Sequence, residues 1–330
     1  MTAAPPLDAP TLAAIAIGRN EGARLTACLD SLRAAGIPRI VYVDSGSTDG
    51  SPAQAAACGA QVLALDLTTP FTAARARNAG LAALADAPPD LVQLIDGDCT
   101  LAPGWITTAT QHLLAHPRLA IVCGRRRERH PEASAYNRLC DREWDTPIGP
   151  ATACGGDALA RYQALTSVGG FSPDLIAGEE PDLCLRLRRD GWQIERLKAE
   201  MTSHDAAITR FGQFWRRARR AGHAFAEGHW RHRHGPEGHF RRETRRALLW
   251  GAALPALILV LLPLSPGLAA LLALAYPAQI LRLAARESFS RSGRETALLL
   301  TLSKFAEAQG AFGFHLSRLR RRRVGLIEYK

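Results

Sequence analysis

Leu12 to Ile17 is an unbroken apolar run that stops at Gly18-Arg19-Asn20-Glu21, and the next apolar residues, Leu25, Cys28, Leu29 and Leu32, fall at helical spacing. The alternation recurs. Ile40 to Val43 is closed by Asp44-Ser45-Gly46-Ser47-Thr48-Asp49-Gly50, Val62 to Leu65 follows, and Leu91 to Ile95 is closed by Asp96-Gly97-Asp98. Strands this uniformly apolar are buried on both faces, and their alternation with helices predicts an α/β fold with a mostly parallel sheet and helices on both faces. Such sheets bind ligands at the carboxyl ends of their strands, where these polar clusters fall.

After residue 204 the pattern changes. Ala247 to Leu281 is a run of 35 residues without Asp, Glu, Lys, Arg or His, whereas one membrane crossing needs about 20. Pro263 and Ser265-Pro266-Gly267 interrupt it, which predicts a helical hairpin. Its second arm, Leu268 to Leu281, is short for a full crossing, so a re-entrant dip, a span and a buried core hairpin all remain open. Arg241, Arg242, Arg245 and Arg246 precede the run and Arg282, Arg286, Arg291 and Arg294 follow it, which places both ends in the cytoplasm. Leu298 to Leu316 carries Lys304 and Glu307 and is followed by Arg318 and Arg320 to Arg323, the pattern of an interfacial amphipathic helix. The expected organisation is a tail over 1–11, an α/β domain over 12–204, a basic interfacial helical segment over 205–246, an apolar hairpin anchor over 247–281, and an amphipathic helix with a basic tail over 282–330.

Composition sharpens this division. The chain is 47 % apolar and 22 % charged, which excludes a disordered or fibrous protein, and its net charge is +10. Residues 1–204 hold 19 basic and 23 acidic side chains and residues 205–330 hold 22 and 8, so the two parts carry −4 and +14. A basic second part points to membrane lipid as a partner; nucleic acid is not expected, because aromatic side chains do not alternate with the arginines. Seven cysteines without a C-x-x-C pair indicate reduced thiols rather than a zinc site or disulfide framework. The first strand lacks G-x-G-x-x-G, which argues against a nicotinamide dehydrogenase.

Asp96 and Asp98 offer hard oxygen ligands of the kind that suit Mg²⁺ or Mn²⁺ on a diphosphate. In order along the chain, Gly18 to Gly22, Val43 to Gly50, Ala74-Arg75-Ala76-Arg77-Asn78-Ala79-Gly80, Asp96 to Asp98, Gly169-Gly170-Phe171 and Gly178-Glu179-Glu180-Pro181-Asp182-Leu183 resemble the motifs of the family-2 glycosyltransferases of the bacterial membrane-associated type. That resemblance implies the GT-A fold and a nucleotide-diphospho-sugar donor, a UDP- or GDP-sugar. It implies that Asn20, Glu21, Asp44, Ser45, Arg77, Asn78 and Asp96 bind the nucleotide-sugar, Asp44 through a base N–H and Arg77, with Arg75, through phosphate oxygens. It also implies that Asp98, Asp96 and His204 hold Mn²⁺ or Mg²⁺. Glu180 stands where the family usually has an aspartate base, so Glu180 or Glu179 is the expected base, in one in-line displacement that inverts the anomeric carbon. A lipid-linked or envelope-glycan hydroxyl is the expected acceptor, at the cytoplasmic face of the inner (plasma) membrane. A sugar nucleotidyltransferase and a non-catalytic membrane scaffold are the alternatives. Cys154-Gly155-Gly156-Asp157 is expected to shape the acceptor pocket, with no role assigned to Asp157. Phe211-Gly212-Gln213-Phe214-Trp215-Arg216 departs from the family's Q-x-x-R-W order, and His223 to His239 forms a histidine-rich stretch.

Overall fold

The computed structural model describes residues 9–321, 325, 327 and 328. Residues 1–8 of the expected tail, and Arg322 and Arg323 of the basic tail, lie outside the described residues. The chain folds as two compact units: the first is Met1–Arg127, Trp144–Asp174 and Glu179–Asp205, the second Glu128–Glu143, Leu175–Gly178 and Ala206–Lys330.

The first unit is built on a nine-stranded sheet in the order β3-β2-β1-β4-β8-β6-β9-β5, with β7 paired to β9. Strands β1 (Leu12–Gly18), β2 (Arg39–Asp44), β3 (Gln61–Ala64) and β4 (Leu91–Asp96) are parallel, as the apolar runs predict. Strands β5 (Cys99–Leu101), β6 (Leu119–Glu128), β7 (Gly149–Pro150), β8 (Ala158–Arg161) and β9 (Gln193–His204) extend the sheet with antiparallel pairings β4·β8, β6·β8, β5·β9 and β7·β9, so the sheet as a whole is mixed. Helices α1 (Ala23–Ala34), α2 (Ser51–Ala57), α3 (Ala73–Ala83), α4 (Trp105–Ala115), α6 (Tyr162–Ser167) and α7 (Glu179–Arg189) belong to the same unit; α5 (Ala135–Glu143) belongs to the second. Leu25, Cys28, Leu29 and Leu32 form the buried face of α1, the face their spacing defines. Helix α3 lies directly on β1 because small residues face it: a Cβ on Gly80 would stand 2.5 Å from Ile15 Cγ2.

The second unit is helical, with α8 (Phe211–Arg231), α9 (Arg241–Leu261), α10 (Pro266–Ala285) and α11 (Arg291–Leu319) joining α5. Two expectations change here. The second hairpin arm is not short: α10 begins at Pro266, whose fixed φ suits a first helical turn, and continues through Arg282 to Ala285, making both arms long and apolar enough to cross a membrane. The arms are not a buried core hairpin either, since Leu259 is 68 % and Leu264 74 % exposed. Leu298 to Leu316 is part of a 29-residue helix that buries one set of residues, Leu299, Ala306, Ala311 and Phe314 among them, and leaves Leu298, Phe312 and Leu316 exposed. Helices α8 and α11 meet backbone to backbone, because a Cβ on Gly222 or Gly310 would strike the main chain of the other helix. The charges inside α11 are neutralised locally: Lys304 Nζ lies 2.6 Å from Glu307 Oε2, and buried Glu307 also accepts from Ser303 Oγ at 2.8 Å.

Candidate active site

The loops at the ends of β1 and β2 are organised around their own polar side chains. Asp44 is buried and accepts hydrogen bonds from Gly46 N (2.9 Å), Ser47 N (2.8 Å) and Tyr42 Oη (3.0 Å). Asn20 adopts the left-handed region at φ 56°, which asparagine tolerates better than most residues. Its Oδ1 accepts from Thr48 N at 2.7 Å and its N–H donates to Ser47 Oγ at 2.8 Å. Ser45 N donates to Gly18 O at 3.0 Å, and Glu21 pairs with Arg24 at 2.8 Å. Asn20, Asp44 and Ser45 thus form one knit rim at the carboxyl ends of two adjacent parallel strands, and Glu21 follows Asn20 in the first of the two loops.

Arg77, on α3 and only 2 % exposed, stands at the centre of a charge network. Its Nη1 donates to Glu179 Oε1 and Glu180 Oε1, both at 3.0 Å, and its Nη2 donates to Asp96 Oδ1 at 2.8 Å. Burial works against the charged guanidinium, but Glu180, Asp96 and Glu179 outweigh it and raise its pKa. Asp96 also accepts from Arg126 Nη2 at 3.0 Å, and Arg126 Nε donates to Asp157 Oδ2 at 2.8 Å. Asp157, wholly buried, accepts from Asp96 N at 3.0 Å and Thr202 Oγ1 at 2.7 Å; burial raises its pKa, but Arg126 and these hydrogen bonds bring it below the usual carboxylate range. Gly156 lets the chain pass this close, since a Cβ there would lie 2.6 Å from Arg77 Nη2 and 2.7 Å from Asp96 Oδ2.

Glu179 and Glu180 occupy the first turn of α7, where the helix dipole favours carboxylates. Glu179 is almost fully enclosed, whereas the Glu180 side chain keeps 17 % of its surface open. Burial and then the neighbouring Glu179 raise the Glu180 pKa from 4.5 to about 7, against the pull of Arg77.

Three side chains expected at the nucleotide-sugar have partners within the protein. Arg77 is enclosed among carboxylates, which already satisfy the charge that the resemblance would have given to phosphate. Asn78 donates from Nδ2 to Phe171 O at 2.7 Å and accepts from Phe171 N on Oδ1 at 2.8 Å, so both ends of its amide fix the Gly169-Gly170-Phe171 turn. Arg75 donates to the carbonyls of Thr69, Pro70 and Asp66 and ties down the loop before α3.

The antiparallel pairing of β5 with β9 sets Cys99 opposite His204, and Asp98, Cys99 and His204 bring their ligand atoms within 4.8 Å of one another. His204 Nε2 lies 3.3 Å from Asp98 Oδ2. The Asp98 carboxylate suits either Mn²⁺ or Mg²⁺ and an added imidazole nitrogen favours Mn²⁺; the Cys99 thiol suits neither, because burial and then Asp157 hold it protonated. Both oxygens of Asp96 face guanidinium groups, so Asp98 and His204 are the better-placed ligands. Arg126, Thr202 and Trp144 are the site residues that sequence reasoning missed, and Asp157, singled out without a role, joins them. Arg126 lies inside an Arg125-Arg126-Arg127 run that reads as solvated surface, while the glycines before Asp157 were the available signal of close approach.

This arrangement defines a class. The fold is the GT-A glycosyltransferase fold, and residues 15–151 match the family model of glycosyl transferase family 2, which bears out the resemblance read from the motifs over that stretch. Among curated proteins the chain is similar to the pre-mycofactocin glycosyltransferase of two Mycobacterium tuberculosis strains, each 29 % identical over 203 residues, covering 57 % of this chain. The match spans 41 % of the length of those relatives. Among solved structures it is similar to the mannosyltransferase PcManGT from Pyrobaculum calidifontis, in complex with GDP-Man and Mn²⁺, at a TM-score of 0.62 and 21 % identity, covering 92 % of this chain and 87 % of that one.

Proposed function

We propose that the protein is an inverting, metal-dependent glycosyltransferase that moves a sugar from a nucleotide-diphospho-sugar to a hydroxyl of a lipid-linked or envelope glycan. The observation that carries this reading is Glu180: a partly open carboxylate at a helix N-terminus, oriented by Arg77, with a pKa of about 7. A base so tuned can take a hydroxyl proton near neutral pH as the new bond to the anomeric carbon forms. Glu179 is the poorer base because it is enclosed. Asp98 and His204 would hold Mn²⁺ or Mg²⁺, whose contribution when bound is Lewis-acid neutralisation of the diphosphate. Asp96, fixed by Arg77 and Arg126, is left to orient the donor. The GDP-Man and Mn²⁺ of the archaeal structure support a nucleotide-sugar donor and one of these ions.

Membrane attachment through α9 and α10 belongs to the same reading. Their apolar side chains face outward, and exposed Arg241, Arg242, Arg245 and Arg246 begin the first arm while Arg282 and Arg286 lie at the end of the second, which favours the cytoplasmic face of the plasma membrane. The test of the chemistry is donor turnover by the full chain in lipid nanodiscs, with the anomeric configuration of the released sugar followed by NMR. Inverted product from wild type and its loss in Glu180→Gln support the reading; retained configuration, or an unimpaired Glu180→Gln, refutes it.

A further inference from the structure

Trp144 has no role in the chemistry above, yet it stands at the site. The Arg126 guanidinium carbon lies 5.3 Å from the centroid of its ring, and the His204 ring meets it nearly perpendicularly, with centroids 4.7 Å apart. These two neighbours are the partners of the two aspartates of Asp96-Gly97-Asp98: Arg126 binds Asp96 and His204 binds Asp98. The contacts therefore run Glu180, Arg77, Asp96, Arg126, Trp144, His204, Asp98, with the candidate base at one end and the candidate metal ligands at the other. An indole so placed is packed on charged groups rather than on an apolar core, and it stays half-buried.

We propose that Trp144 is a stacking platform for the sugar ring of the donor. The inference rests on the proposed glycosyltransferase reading. In an in-line displacement the leaving diphosphate and the acceptor hydroxyl lie on opposite sides of the anomeric carbon, so groups beside the diphosphate ligands serve the donor and groups beside Glu180 serve the acceptor. Trp144 touches the former. The aliphatic C–H face of a hexopyranose is the part of the donor that phosphate-binding groups do not recognise, and an aromatic face covers it well, as aromatic linings do in small-molecule sites. The cation–π contact with Arg126 holds the indole in a fixed orientation.

The test is calorimetric binding to the full chain in Mn²⁺, comparing GDP with GDP-mannose and UDP with UDP-glucose for wild type, Trp144→Ala and Trp144→Phe. The proposal predicts that, for the nucleotide that binds, wild type takes the sugar form more tightly than the bare diphosphate. Trp144→Ala should lose about tenfold in affinity for the sugar form alone, and Trp144→Phe should recover most of it. An equal loss for diphosphate and sugar form in Trp144→Ala would make Trp144 a structural cover of His204 and overturn the proposal while sparing the glycosyltransferase reading. Unchanged affinities would also overturn it. Absence of nucleotide binding by wild type would overturn both.

Discussion

Two regions of this protein break the rule that apolar groups go inside and charges outside, and they break it in opposite senses. In the sheet unit, Arg77, Asp157 and Glu179 are buried with Arg126 and Asp96 against them, each with a partner of opposite sign within 3.0 Å. In the helical unit, Leu257, Leu259, Val260 and Leu271 stand exposed, uncovered by any of the described residues. The comparison shows what each region lacks. Four carboxylates, Asp96, Asp157, Glu179 and Glu180, share two guanidiniums, so the network is left with surplus negative charge that a proton on Glu180 or a nearby cation balances. The helical unit leaves an apolar surface open, which is what the membrane attachment proposed for it would cover.

The comparison can be broken at either region. The largest effect is expected in the network: Glu180→Gln should lower donor turnover by about a thousandfold while the protein still folds, which turnover and thermal unfolding together will read. Removing the shared cation comes next. Arg77→Met leaves Glu179, Glu180 and Asp96 without their common partner and should destabilise the sheet unit by about 3–5 kcal/mol, seen as a lowered denaturant midpoint. In the helical unit, Leu259→Asp should cost about 3 kcal/mol of insertion and release the chain from phosphatidylglycerol vesicles in a flotation assay, with binding of the nucleoside diphosphate unchanged.

The smallest effect sharpens the first region. Because Glu180 acts deprotonated and its pKa is raised to about 7, kcat/KM should climb as pH rises through 7 and level above it. Stability runs the other way: the folded state holds this proton more tightly than the unfolded one, so the contribution present below pH 4.5 is lost as pH rises through 7. Glu180→Gln should therefore gain in Tm over wild type at pH 8 and not at pH 4. A flat rate profile between pH 6 and 8 would assign the turnover to another group.

The parallel half of the sheet was legible because Ala13 to Ile17 and Val41 to Val43 are apolar on both faces, a pattern with one physical reading. The antiparallel half was not, because β6 and β9 carry Arg125, Arg126, Arg127, Arg196 and Glu200, and strands that mix burial with ion pairing lose the apolar signal. The site shows the same limit. Asp98, His204 and Glu180 could be named from motif and spacing, but nothing in the sequence says that Arg77 faces three carboxylates or that Asn78 spends its amide on Phe171, since those partners lie 19 to 103 positions away. The hairpin was visible as an uncharged run, while the burial of α11 was hidden by glycines whose meaning is a contact with another helix.

The central claim is that Asp98 and its neighbours form a metal-dependent site for a nucleotide-diphospho-sugar. It is tested most directly by calorimetric titration of GDP and UDP into the full chain, with and without Mn²⁺, for wild type and Asp98→Ala. Binding of one diphosphate that requires Mn²⁺ and weakens about a hundredfold in Asp98→Ala is the predicted result. Binding indifferent to Mn²⁺ and to Asp98, or no binding of either diphosphate, would contradict it.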